Sequence, residues 1–308
     1  MQVTALLRCN PGGPSRALLQ KRVSPESGGK LTMNTLRELQ LAELQVLKAF
    51  ADACDRLGLT YYLNSGTLLG AVRHGGFIPW DDDVDVAMPF EDYERFLSCG
   101  QDALGDGFFI QNMETEPNFH FSFTRVRKNG TTCLNSYHRD WHIHHGVWID
   151  VFPIVTLSGK RDFKRKHRLF SFCNLLQMDD FLNNHIEDSR KELGGLVVAL
   201  LKVFYLIPRS ARIRWHRKLV KAACGKKNGN CYSVLWGNIT SFYPENVFAE
   251  KAPIRFEDAL FSAPADPDRY LTYTYGDYMK LPPENKRRSH TVDIVDLDHD
   301  YRQYVPNR

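Results

Sequence analysis

The stretch Trp80-Asp81-Asp82-Asp83-Val84-Asp85-Val86-Ala87-Met88 restricts this chain more than any other segment. From Asp83 onward polar and apolar residues alternate, the period of a half-buried β-strand, and Pro89 ends the pattern. Residues two apart on a strand point to one side, roughly 6.5–7 Å apart along the backbone. Asp83 and Asp85 are therefore expected side by side, with Val84 and Val86 turned into a core. Two carboxylates held that close repel, and one tends to take up a proton unless a cation lies between them. A hard divalent ion, Mg²⁺ or Mn²⁺, is the natural partner of such an oxygen pair. Asp81 and Asp82 deepen the negative potential as support. A lone Asp-x-Asp is also readily a solvated acidic turn.

Two further segments favour the metal reading. Upstream, Asn64-Ser65-Gly66-Thr67-Leu68-Leu69-Gly70 is a small-residue turn that opens a helix running to about Arg73. Such a turn offers backbone N–H groups to phosphate oxygens. Downstream, Gly146-Val147-Trp148-Ile149-Asp150-Val151-Phe152 sets one carboxylate in a strongly apolar strand. An aspartate buried there needs a counter-charge, a metal or backbone donors.

The surrounding chain reads as an α/β unit. A capping box at Thr35-Leu36-Arg37-Glu38 opens a helix whose apolar positions recur at helical spacing as far as Leu57, and Gly58 ends it. Strands are expected at 60–63, 83–88, 108–111, 119–127, 131–134 and 147–152, with a helix from Phe90 to Leu97, so residues 33–157 make a mixed-sheet catalytic core. Residues 158–308 form a helical and aromatic-rich extension, with helices at 160–177, 196–207 and 210–223. Residues 1–32 carry Pro-Gly-Gly-Pro and Pro-Glu-Ser-Gly-Gly, turn signals without periodicity, and are expected to be disordered. No secretion signal stands out, so a cytoplasmic protein is expected. A net charge of +4 over 308 residues does not announce a nucleic-acid binder. Seven scattered cysteines without a C-x-x-C pair point to reduced thiols.

A small-residue turn after a strand, then Asp-x-Asp on the next strand, then a single aspartate on a later apolar strand resembles the nucleotidyltransferase (polymerase-β-like) superfold. More closely, residues 63–85, from Leu63-Asn64-Ser65-Gly66-Thr67 to Trp80-Asp81-Asp82-Asp83-Val84-Asp85, resemble the signature of the LicD family. Ile149-Asp150-Val151-Phe152-Pro153 and Tyr275-Gly276-Asp277-Tyr278-Met279 with Leu281-Pro282-Pro283 resemble its later segments. The family includes bacterial phosphocholine transferases, which move phosphocholine from CDP-choline to cell-surface glycans. Fukutin and fukutin-related protein carry a similar domain and use CDP-ribitol.

The resemblance implies Asp83 and Asp85 as metal ligands, with Asp150 the third carboxylate, as ligand or general base. It implies a CDP-choline-like donor and a glycan or lipid-linked glycan acceptor of lipopolysaccharide, teichoic acid or capsule type. Ser65, Gly66 and Thr67 are candidates for phosphate binding, Arg73, Arg127 and Lys128 for cationic contacts, and Tyr275 and Asp277 for the pocket wall. The alternatives are a nucleotidyltransferase releasing pyrophosphate and a catalytically silent glycan- or nucleotide-binding module. Choline and ribitol are not separated by the residues. A choline pocket asks for an aromatic cage, and Trp80, Trp141, Trp148, Tyr275 and Tyr278 are candidates.

Other signals are weaker. His138-Arg139-Asp140 lacks the Asn of a kinase catalytic loop, and position 145 is His. His138, His142, His144 and His145 read as a loop near the site rather than a metal centre. Residues 195–207 are the most apolar run, at about 13 residues too short to span a bilayer. Several basic residues follow. The segment 195–218 reads either as a buried helix leading into a solvated basic one or as peripheral membrane contact.

Overall fold

The computed structural model describes residues 33–135, 141–175, 195–224, 229–236, 239, 241–287 and 292–305. The readings of residues 1–32 and of His138-Arg139-Asp140 lie outside them.

Helix α1 (Met33–Leu57) forms because Leu39, Val46, Leu47, Phe50 and Cys54 recur on one face, and all five are buried. Glu43 falls on that same buried face. Strand β1 (Tyr62–Leu63) is followed by α2 (Ser65–His74), β2 (Asp85–Pro89), α3 (Phe90–Leu104), β3 (Phe108–Gln111), β4 (Thr124–Lys128), β5 (Thr132–Asn135) and β6 (Trp148–Leu157). The main sheet runs β1-β2-β6-β4-β3. β2 and β6 are parallel and the other neighbours in this order antiparallel, so the sheet is mixed as expected. Helices α1 and α3 pack on each other and on this sheet, with Phe50 meeting Phe96 edge-on at 5.2 Å.

Proline within a sheet normally marks an edge, because it cannot donate to the ladder. Pro153 nevertheless sits inside β6. Asp150 donates its N–H to Val84 on the β2 side, so by alternation the nitrogen of residue 153 faces the other way. On that side β4 pairs only as far as Val151, and β7 (Cys231–Val234) begins at Ile154. Pro153 occupies the gap between the two partners, where no donor is required.

Helices α4 (Lys160–Leu175), α5 (Gly195–Phe204) and α6 (Arg209–Cys224) lie near their expected places. The chain closes with the hairpin β8 (Lys251–Phe256) and β9 (Ala259–Pro264), helix α7 (Pro267–Tyr275) and β10 (Val292–Asp296), which pairs with β5. The sequence reading gives this part only as an aromatic-rich extension, without strands. Pro253 falls inside β8 and Pro264 ends β9, and in the sequence both read as breaks. The strand expected at 119–127 starts only at Thr124, and that at 60–63 shrinks to two residues. Of α5 only Val198 and Leu201 are buried, so the reading of a fully buried helix does not hold. No described helix is long and apolar enough to cross a membrane.

Helix α2 is closed by Gly75 at φ 72°, whose N–H reaches Ala71 O, while Gly76 N–H reaches Gly70 O. A Cβ on Gly70 would stand 2.4 Å from the Gly76 carbonyl oxygen, which is backbone and cannot swing away. Helix propensity alone would make Gly70→Ala stabilising by about 1 kcal/mol. The clash reverses that sign. We expect a net loss of about 1–3 kcal/mol, read as a lower urea midpoint.

Candidate active site

The carboxylates come together through strand register. Asp85 on β2 is paired with Asp150 on β6, and Asp150 with Arg125 on β4, so the three side chains form one row across the sheet. Arg125 donates from Nε to Oδ1 of Asp150 at 2.7 Å, and both side chains are buried. The Arg125 guanidinium lies 4.8 Å from the Trp148 ring centroid and 5.2 Å from that of Phe121. This cation–π seat fixes its direction. Asp83 precedes the strand rather than lying on it, because regular pairing starts at Asp85. Asp83 remains close enough to be the strongest charge acting on Asp85.

Burial raises the pKa of the Asp85 carboxyl well above the usual range, and Asp83, Asp150 and Asp81 push it further. Its Oδ1 is buried without a hydrogen-bond partner. An orphaned carboxylate oxygen among like charges fits a divalent cation held between Asp83 and Asp85. Among the described residues, no three His, Cys, Asp or Glu side chains are already gathered as a metal cage, and Arg125 takes one oxygen of Asp150.

Beneath the row lies a carboxylate that the sequence reading passes over. Glu43 of α1 is fully buried, and neither oxygen has a hydrogen-bond partner. Burial drives its pKa up, and Asp82, Asp83, Asp81 and Asp150 add to the rise. The one available signal was an acidic residue on the apolar stripe of a helix.

The small-residue turn faces this cluster. Gly66 lets the Asp81 carboxylate approach, since a Cβ there would lie 2.8 Å from Oδ2 of Asp81. Ser65 adopts φ 46°, a left-handed conformation that costs a non-glycine residue about 1–3 kcal/mol. Tyr270 from α7 holds it there, accepting the Ser65 N–H at 3.3 Å and donating to Asn64 Oδ1 at 2.5 Å. Thr67 Oγ1 accepts the N–H of Asp85 at 2.8 Å, so this hydroxyl sets the start of β2 in place. Gly66 and Thr67 lie in the first turn of α2, where N–H groups have no intrahelical acceptor. From α1, Gln40 Nε2 donates to the carbonyl of Asp81 at 2.8 Å and steadies the acidic turn.

Of the cationic candidates, Arg73 belongs to this neighbourhood. It donates to Tyr278 O at 2.8 Å and interacts with Tyr275, Arg287 and Asp81. Arg287, absent from the sequence reading, stacks on Trp80 at 5.0 Å. Tyr275 presents an exposed ring, but its hydroxyl end is buried against Ser65; burial and the charges of Asp85 and Asp81 hold it strongly protonated.

Arg127 and Lys128 are placed otherwise. Arg127 is fully buried, donating to Gln111 Oε1 and Gly146 O, with its guanidinium 4.7 Å from the Trp148 centroid. Burial and the nearby Arg125 lower its pKa to about 9. Lys128 Nζ donates to Gln45 Oε1. Both groups are occupied by partners on β3, on α1 and before β6. Asp277 is exposed in the turn after α7. The faces of Trp148 are taken by two arginines, which leaves it unsuited to a choline cage. His144 and His145 are core groups: burial lowers their pKa values to about 3 and 4, and they bond to Asn129 and to the Trp141 carbonyl.

Residues 58–173 match the model of the LicD/FKTN/FKRP nucleotidyltransferase domain. The chain is 27% identical over 266 residues to the lipopolysaccharide cholinephosphotransferase LicD of Haemophilus influenzae, covering 84% of this chain and 96% of that protein. It is 43% identical over 127 residues to the ribitol 5-phosphate transferase FKRP of Homo sapiens and of Mus musculus, covering 41% of this chain and 22% of each relative. The carboxylate row, the turn and the acidic loop all lie within the matched span or meet it from α1 and α7. Residues 58–173 therefore form a nucleotidyltransferase domain of the LicD family.

Proposed function

We propose that this LicD-family enzyme transfers phosphocholine, or a related alcohol phosphate, from a CDP-activated donor to a hydroxyl of a cell-surface glycan and releases CMP. The observation that carries the reading is the row Asp85–Asp150–Arg125, in which Asp85 keeps a buried oxygen without a hydrogen-bond partner. A divalent ion held by Asp83 and Asp85, with Asp150 as a third ligand or beside it, supplies charge neutralisation at the donor diphosphate.

The chain's own groups do the remaining work. The N–H groups of Gly66 and Thr67 and the cations Arg73 and Arg287 meet phosphate oxygens at the edge of the acidic loop. Arg125 holds one oxygen of Asp150, and the other accepts the proton of the acceptor hydroxyl. That hydroxyl oxygen forms a new bond to the phosphorus bearing the alcohol, and the bond from this phosphorus to the CMP oxygen breaks. Tyr275, kept protonated, donates a hydrogen bond at the site wall.

Turnover of a panel of CDP-alcohols with Mg²⁺ tests the reading, with CMP and pyrophosphate measured separately. CMP formation that stops on chelation is the expected result. Pyrophosphate release from a nucleoside triphosphate would establish the nucleotidyltransferase alternative instead. Absence of any metal-dependent turnover across donors would favour a binding module.

A further inference from the structure

We infer that α5 and α6, together with the outer face of α4, form a docking surface for an anionic lipid bilayer. On α5, Leu196, Leu200 and Val203 are 76%, 62% and 65% exposed, at spacings that put them on one stripe. Leu206 continues it just beyond the helix end at 81%. On the neighbouring helices Trp215 and Phe172 are also more than half exposed, and Trp215 packs beside Phe204 of α5. Single exposed apolar residues are ordinary, whereas a continuous row of large ones marks a surface that meets something apolar.

Charge identifies the partner. Residues 195–224 contain no aspartate or glutamate. Lys202, Arg214 and Lys218 are exposed and make no ion pair among the described residues, as are Arg161, Lys164 and Arg168 on α4. By contrast Arg217 and Lys221, on the neighbouring flank of α6, pair with acidic residues of the core, Arg217 with Glu94 and Glu114 and Lys221 with Glu94. The helix is thereby fixed with its remaining cations outward. Apolar side chains flanked by unpaired cations, with a tryptophan among them, match an acyl boundary beneath anionic headgroups. A nucleic acid would answer the cations but leave the leucine stripe in water. At 10 residues α5 lies on such a surface and does not cross it.

The test uses the full chain and flotation with vesicles of phosphatidylcholine alone or mixed equally with phosphatidylglycerol. Binding to the mixed vesicles at low salt, weakened at about 0.5 M salt, is expected, with little binding to phosphatidylcholine alone. The pair Leu200→Gln with Leu206→Gln, and separately Arg214→Gln with Lys218→Gln, should each reduce partitioning about tenfold or more while retaining the wild-type melting transition. If a pair unfolds the chain, the fluorescence difference between wild type and Trp215→Phe replaces it, and a blue shift of that difference on mixed vesicles supports the surface. The inference is overturned by no binding at low salt, by unchanged partitioning of folded variants, or by no Trp215 shift. It is equally overturned by a stable dimer that Leu200→Gln dissociates, which would make a second copy the occupant.

Discussion

Asp85→Asn is expected to lose turnover by about 10³-fold or more while the protein melts at the same or a higher temperature. The amide keeps the size of the side chain and removes one negative charge from a buried group crowded by Asp83, Asp150 and Asp81. Activity and stability thus move in opposite directions, which a merely structural aspartate would not do. The pH dependence carries the same signature. A carboxyl whose pKa is raised on folding contributes most below its unfolded value, near 3.9, and that contribution is lost as pH rises through the folded value. Without metal, the melting temperature of the wild type should therefore fall as pH rises above the ordinary carboxylate range. Asp85→Asn should flatten that fall, and Mg²⁺ should reverse it in the wild type alone. A variant with near-normal turnover, or a wild type indifferent to Mg²⁺, would sink the assignment.

Arg125→Ala should be the most damaging change for stability. It strips Asp150 of its buried partner and empties the space over Trp148 and Phe121. Breaking one side of a buried ion pair costs about 3–5 kcal/mol, and a fall in Tm on the order of 10 °C follows. Turnover should drop about 10²-fold or more in protein that remains folded, because Asp150 is then free to rotate. Mg²⁺ should stabilise this variant more than the wild type, since the cation answers charge that Arg125 no longer neutralises. Thermal melts with and without Mg²⁺, paired with kcat/KM, decide it. Equal metal stabilisation in both proteins would show that Asp150 does not face the ion.

The main carboxylates are legible in the sequence because alternation and an apolar run are local signals. Asp85 and Asp150 announce themselves in this way. Arg125 does not acquire its role until β4 is laid beside β6 in the right register, and nothing within residues 124–128 states that register. The expectation of cationic contacts from Arg127 and Lys128 misses that Gln111, Gly146 and Gln45 accept from their N–H groups. Glu43 is hidden for another reason: it lies in a helix whose period is read for its apolar residues. Tyr270 brings in a contact across about two hundred residues, a distance at which no pattern in the sequence speaks. The hairpin of β8 and β9 is missed because Pro253 and Pro264 read as breaks in the sequence.

Pro153 divides β6 into two halves by partner on one side only, while β2 pairs along the other side unbroken from Asp150 to Ile154. The first, up to Val151, carries Asp150 and is clamped between β2 and β4. The second, from Ile154, serves as the seat for β7. At the handover the Pro153 carbonyl accepts from Leu235 N–H but no backbone donor of β6 is spent, so a change around β7 bears on the later half of the strand before it reaches the half that carries Asp150.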